Sequence, residues 1–135
     1  MKKYWFLFIA FALFFTACED EEFTKYETPQ WSVCEGNFST SMSCVIDLPD
    51  FLQAYKSEND KLAVFANGQC RGIATFINGR FFIDPVGTYE EVTMLEFRYY
   101  SSQTAYMYSS NKIQFKPDET LGTIDQPYIL TLTNL

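Results

Sequence analysis

The sequence predicts an all-β fold: a single antiparallel β-sandwich, Ig-like or jelly-roll-like, of about eight or nine short strands. Three observations predict it. Asn67-Gly68 and Asn78-Gly79 stand between apolar runs, and Asn-Gly is the preferred pair for a two-residue type I′ hairpin turn because both central residues need φ > 0. Apolar and polar residues alternate from Trp31 onward, with turn residues recurring about every 8–12 positions. Helical periodicity never persists beyond about two turns. A chain of 135 residues allows one domain, and a domain of this size buries roughly two-thirds of its unfolded surface, enough for one core.

The N-terminus reads as a leader. Lys2 and Lys3 precede an apolar run from Tyr4 to Ala17, which is short of the roughly 20 residues that span a bilayer and fits an export signal. Phe15-Thr16-Ala17-Cys18 resembles a bacterial lipobox, with Phe15 where that motif usually carries leucine or a β-branched residue. Residues 1–17 are therefore expected to be a lipoprotein signal peptide, and Cys18 the acylated N-terminus of the mature chain. Several acyl chains at about 0.8 kcal/mol per buried CH₂ give a stable anchor. Glu19, Asp20, Glu21 and Glu22 follow directly. Four adjacent carboxylates repel one another and stay solvated; they also resemble the signal that carries Bacteroidetes lipoproteins to the outer face of the outer membrane. Residues 18–30 then read as lipidated cysteine and acidic linker, and 31–135 as the sandwich.

From Trp31 the strands follow in order. Trp31 to Cys34 reads as a first strand. Met42, Cys44, Ile46 and Leu48 alternate with Ser41, Ser43, Val45 and Asp47, a half-buried strand. After Pro49, Asp50 is the expected N-cap of a short helix over Phe51 to Ser57, with Gln53 as its capping-box partner. Phe51 and Tyr55, at i and i+4, should cover one end of the core. Leu62 to Ile83 reads as a three-stranded meander around the two Asn-Gly turns; it is apolar on both faces and so expected at the centre of a sheet. Thr93, Leu95, Phe97 and Tyr99 share one face of a long strand. Ala105 to Tyr108 is a short strand, Ile113 and Phe115 point inward, Leu121 to Gln126 is a loop, and Pro127 to Thr133 closes the sheet.

The meander also carries a resemblance. Asp60, Ala63-Val64-Phe65 and Gly68-Gln69-Cys70-Arg71-Gly72-Ile73-Ala74 look like the signature, of the A-F-x-x-G-x-C-R-G type, of a β-sandwich module in Bacteroidetes surface lipoproteins. Phe97-Arg98-Tyr99-Tyr100, Asn111 to Phe115, and Leu121-Gly122-Thr123 with Pro127 to Leu130 are similar to its later strands. The likeness covers roughly residues 31–134. It implies a fold, and it implies no ligand, activity or catalytic residue.

Composition narrows the chemistry. The whole chain carries a net charge of −7; loss of Lys2 and Lys3 with the leader leaves eight basic residues against seventeen acidic, a net −9. So acidic a chain is expected to bind no nucleic acid, whose phosphates need basic patches. There is no histidine, hence no Ser-His-Asp or Cys-His constellation. Glu90-Glu91 would face opposite sides of a strand, not one scissile bond. No cysteine pair has C-x₂₋₄-C spacing, so no metal centre is expected, and no cofactor motif is present. With Cys18 acylated, Cys34, Cys44 and Cys70 allow one disulfide in any of three pairings, or buried thiols.

The expected function is therefore non-catalytic. An outer-membrane surface lipoprotein of this kind would bind an extracellular glycan or a protein, or serve as a structural or adhesive component of a surface complex. Aromatic residues make up 19% of the chain. The candidate ligand-binding residues are Trp31, Tyr100, Tyr106 and Tyr108, whose rings suit stacking on sugars or side chains. Arg71 is a further candidate, though as a structural residue it would pair with Asp60 or Glu96 across the sheet, or cap loop carbonyls.

Overall fold

The computed structural model describes residues 23–135; the expected leader over residues 1–17, Cys18 and Glu19 to Glu22 lie outside them. The described chain is all-β, with one helical turn, α1 (Asp50–Gln53). Its thirteen strands form three sheets, where eight or nine strands in a single sandwich were expected. The difference arises because several expected strands break where the chain leaves one sheet for another.

The larger sheet runs β13 (Leu132–Asn134), β9 (Met107–Ser110), β8 (Met94–Tyr100), β3 (Lys61–Ala66), β4 (Gln69–Ile73), with β10 (Ile113–Gln114) also on β8. The second runs β11 (Thr120–Leu121), β2 (Ser43–Asp47), β6 (Arg80–Ile83), β5 (Thr75–Ile77), with β12 (Tyr128–Ile129) also on β2. β1 (Thr40–Ser41) and β7 (Val86–Gly87) form a short third sheet. Pairing is antiparallel except where β11 and β12 lie parallel to β2.

Both Asn-Gly turns form as expected: φ is 51° and 77° at Asn67 and Gly68, and 49° and 80° at Asn78 and Gly79. The meander they bound does not lie in one sheet. β3 and β4 belong to the larger sheet, β5 and β6 to the second, and the chain crosses between them at Ala74. Sandwich corners are made by strands that switch sheets in this way. Ala74 N donates to Leu62 O at 2.9 Å, so the crossing stays tied to β3. The central position expected for the whole meander therefore holds for β3 and β6 only; β4 and β5 are edges. On the edge, Ile73 and Ile77 are exposed.

The core lies between the two larger sheets. Met42, Cys44, Ile46 and Leu48 meet Leu95, Phe97 and Tyr99 there, all buried as their alternation predicts. Phe81 of one sheet packs edge-on against Tyr99 of the other at 6.1 Å between ring centroids, a favoured aromatic geometry. Phe115, Leu130 and Leu132 complete the cluster.

Other boundaries move. Trp31 to Cys34 forms no strand; Cys34 N makes one bond to Cys70 O (2.9 Å) beside the β4 edge. Residues 23–30 do not run free as a linker: Lys25 bridges Tyr106, and Tyr26 N donates to Ala105 O at 2.8 Å. Ala105 takes φ 62°, which bends the chain and starts β9 two residues later than expected. The closing strand splits into β12 and β13 in different sheets. Cys34, Cys44 and Cys70 are all free thiols.

Candidate functional site

Two buried carboxylates set the positions of the residues that form the main aromatic groove. The first is Asp47, the last residue of β2. It accepts from its neighbour Leu48 N (2.8 Å), from Lys56 Nζ (3.0 Å) and from Arg80 Nη1 (3.0 Å). Lys56 Nζ also donates to Gly79 O at 3.0 Å, and Gln53 Nε2 to Leu48 O at 2.8 Å. These bonds fix α1 and the turn after it against the end of the second sheet. Burial pushes the Asp47 carboxyl up, but the Leu48 N–H, Lys56 and the Gln53 amide outweigh it and hold it below the usual carboxylate range. Asp50 does not cap the helix: the N-cap is Pro49, without a side-chain bond.

A helix of one turn can turn only one large residue to the core. Leu52 is buried there, whereas Phe51 and Tyr55, expected to cover the core, are 57% and 45% exposed. Phe51 stands edge-on to Tyr108 at 6.2 Å.

The second carboxylate is Asp60. Its Oδ2 accepts from Tyr99 Oη (2.5 Å) and Ser57 N (2.9 Å), and its Oδ1 from Ser102 N (2.8 Å) and Ser102 Oγ (2.9 Å). Four donors satisfy the buried charge without a cation among the described residues. Burial and the Asp60 carboxylate together push the Tyr99 phenol well above its ordinary pKa. The same bonds anchor the turn after β8, which Ser101 N to Tyr106 O (3.0 Å) and Ala105 N to Ser101 O (2.8 Å) then close. That turn presents Thr104 and Tyr106.

Between α1 and this turn lies a groove of about 400 Å³, within the usual range for small-molecule sites. Phe51, Leu52 and Tyr55 form one side, Tyr106 and Tyr108 the other, with Thr104 and Asn134 between them. Phe23 closes one end; it is 53% exposed and packs edge-on to Tyr106 at 5.3 Å. The groove thus draws on four separate chain segments, and none of its lining residues is charged.

Of the candidates read from sequence, Tyr106 and Tyr108 line this groove. They do not form an exposed row with Tyr100. Tyr100 and Tyr108 are each 5% exposed; the Tyr100 hydroxyl is spent on Tyr26 O at 3.4 Å. Trp31 is elsewhere, edge-on to Phe65 at 5.6 Å. Arg71 is 8% exposed and pairs with neither Asp60 nor Glu96. Its guanidinium lies over the Phe38 ring at 4.4 Å and donates to Val86 O (3.3 Å) and Gln69 Oε1 (3.2 Å). It is a packing residue of the β4 edge, consistent with a cation over an aromatic face. Phe23, Phe51, Tyr55 and Asn134 escaped the sequence reading. No sequence signal marked them, because the expected helix over Phe51 to Ser57 turned Phe51 and Tyr55 toward the core.

A second groove of about 410 Å³ runs past Phe65, Met94, Glu96, Arg98 and Lys112. Two of its three charged groups engage each other: Arg98 pairs with Glu96 at 3.5 Å and lies over Phe65 at 5.3 Å, while Lys112 makes no ion pair among the described residues. Compared with known proteins, the chain matches no family model, no curated protein and no solved structure.

Proposed function

We propose that this protein is a non-catalytic binding module, held as a lipoprotein through Cys18 on the outer face of the outer membrane, that takes an extracellular glycan or protein. The observation that carries this reading is the groove of Phe23, Phe51, Tyr55 and Tyr106. Three of these rings are more than a third exposed, although burying such a ring is worth about 1.5–3 kcal/mol. Exposed aromatics gathered around one concavity mark binding surfaces. The leader, the lipobox-like Cys18 and the acidic Glu19 to Glu22 support the address, and a sequence without histidine offers no Ser-His-Asp or Cys-His constellation.

The test compares the intact protein with a Phe51→Ala/Tyr55→Ala double variant for capture of extracellular polysaccharide and of outer-membrane proteins. Capture that the variant loses supports the reading; equal capture by both removes the groove as the site. Cys18→Ser should abolish incorporation of labelled palmitate, and retained label would refute the anchor.

A second reading, a structural or adhesive component without a small ligand, draws on the β4–β5 edge. Ile73 and Ile77 are exposed there on strands whose outer side has no strand partner among the described residues, and such an edge accepts another strand.

A further inference from the structure

We propose that the aromatic groove binds a neutral sugar, stacking the ring's C–H face on Tyr55, Phe51 and Tyr106 and hydrogen-bonding its hydroxyls to Asn134 and Tyr108. This rests on the binding-module reading and narrows its ligand.

Three observations converge on that chemistry. The first is the walls. Aromatic rings on both sides of the groove present flat apolar faces, which match the C–H faces of pyranose rings. The second is the floor. Asn134 Nδ2 is shut off from solvent and has no hydrogen-bond partner among the described residues. A buried donor without a partner is penalised, and Asn134 lines the groove, so a ligand oxygen that displaced the side chains covering this amide would relieve that penalty. Tyr108 lines the same groove as Asn134; burial raises its phenol's pKa most, then the neighbouring Tyr106 and Tyr55 phenols, while the Asn134 side chain, close to it but outside hydrogen-bond geometry, lowers it. Phenol and amide together give donors and acceptors for a vicinal diol. The third is the charge. No lining residue is ionic, and the chain carries −7 overall, so nothing compensates a carboxylate or sulfate on the ligand.

Other occupants fit less well. An acyl chain would fill the walls and leave the Asn134 amide desolvated. An acidic side chain would enter a groove without a counter-charge in a chain that is negative overall. A hydroxylated ring uses both the aromatic walls and the polar floor.

The experiment is an array of neutral hexose and N-acetylhexosamine oligosaccharides beside uronic-acid and sulfated ones, probed with the intact protein, Tyr55→Ala and Asn134→Leu. Thermal unfolding is followed in parallel to show that each variant is folded. The expected result is retention on neutral glycans, weakened about tenfold or more in each variant. Retention only on acidic glycans overturns the proposal. So does neutral binding that Asn134→Leu leaves unchanged, and so does a blank array. A blank array with outer-membrane protein still captured through Phe51 and Tyr55 removes the sugar and leaves the binding module standing. A blank array with no capture removes both.

Discussion

Asp60→Ala should destabilise the fold by roughly 4 kcal/mol, and the way that loss is shared with Tyr99 tests the account of the buried carboxylate. The Tyr99 hydroxyl is fully buried and donates to Asp60 Oδ2; the bonds from Ser57 N, Ser102 N and Ser102 Oγ are part-buried. An orphaned buried donor to a charged acceptor costs about 2–3 kcal/mol, and each part-buried donor, which water can reach, about 0.5 kcal/mol. Urea unfolding followed by circular dichroism is the assay, and the midpoint should fall by more than about 1 M. Tyr99→Phe alone should cost about 1–2 kcal/mol, because it removes one donor and leaves the carboxylate three others. In the Asp60→Ala background the same change should instead restore about 2 kcal/mol, since it removes the orphaned hydroxyl that carries most of the loss. An Asp60→Ala loss below about 1 kcal/mol, or an equal Tyr99→Phe cost in both backgrounds, would refute the reasoning.

Gly122→Ala should destabilise by about 3 kcal/mol or more, because Gly122 has φ 78° and an added Cβ would stand 2.4 Å from Val45 O and 2.5 Å from Tyr128 N, against backbone that cannot give; a calorimetric Tm equal to the parent's would contradict this. Asp47 has a folded pKa below its unfolded value, so its contribution is present above about pH 4 and is lost as pH falls through the folded pKa; in acid titrations of stability, Asp47→Asn should flatten the slope below pH 4, and an unchanged slope would count against the Lys56 and Arg80 contacts. Thiol labelling with iodoacetamide at pH 8 should modify half-buried Cys34 first and Cys44 only on unfolding, because burial and then Asp84 push the Cys44 thiol up to about 12; mass spectrometry finding Cys44 labelled in the folded protein would refute its burial.

Local signals carried much of this fold. The Asn-Gly turns need nothing beyond two residues, and the inward faces of Met42 to Leu48 and Thr93 to Tyr99 follow from a period of two. What escaped was long-range. The crossing at Ala74 leaves the alternation of Cys70, Gly72, Ala74 and Phe76 undisturbed, so a strand that serves two sheets reads as one. β11 and β12 are two residues each, paired parallel to a distant strand, and too short to show a pattern. The groove was only partly legible for the same reason. Tyr106 and Tyr108 fall in the strand expected over Ala105 to Tyr108, but their partners Phe23, Phe51 and Asn134 come from segments that meet only after folding. The tyrosine row misread Tyr100, because strand alternation says which residues share a face and not which face another segment covers.

The crossing at Ala74 bears on the order in which the chain assembles. Two-residue hairpins close within about 1–10 μs, and these two share the stretch between Gln69 and Ile77. A chain that has closed both has already placed one strand pair in each sheet and fixed the angle at which the sheets will meet. The late steps are then those with the greatest loop entropy, above all the parallel docking of Thr120 and Tyr128 on Ser43 and Ile46. On this account, lengthening either Asn-Gly turn should slow folding, whereas lengthening the loop between β11 and β12 should mainly speed unfolding.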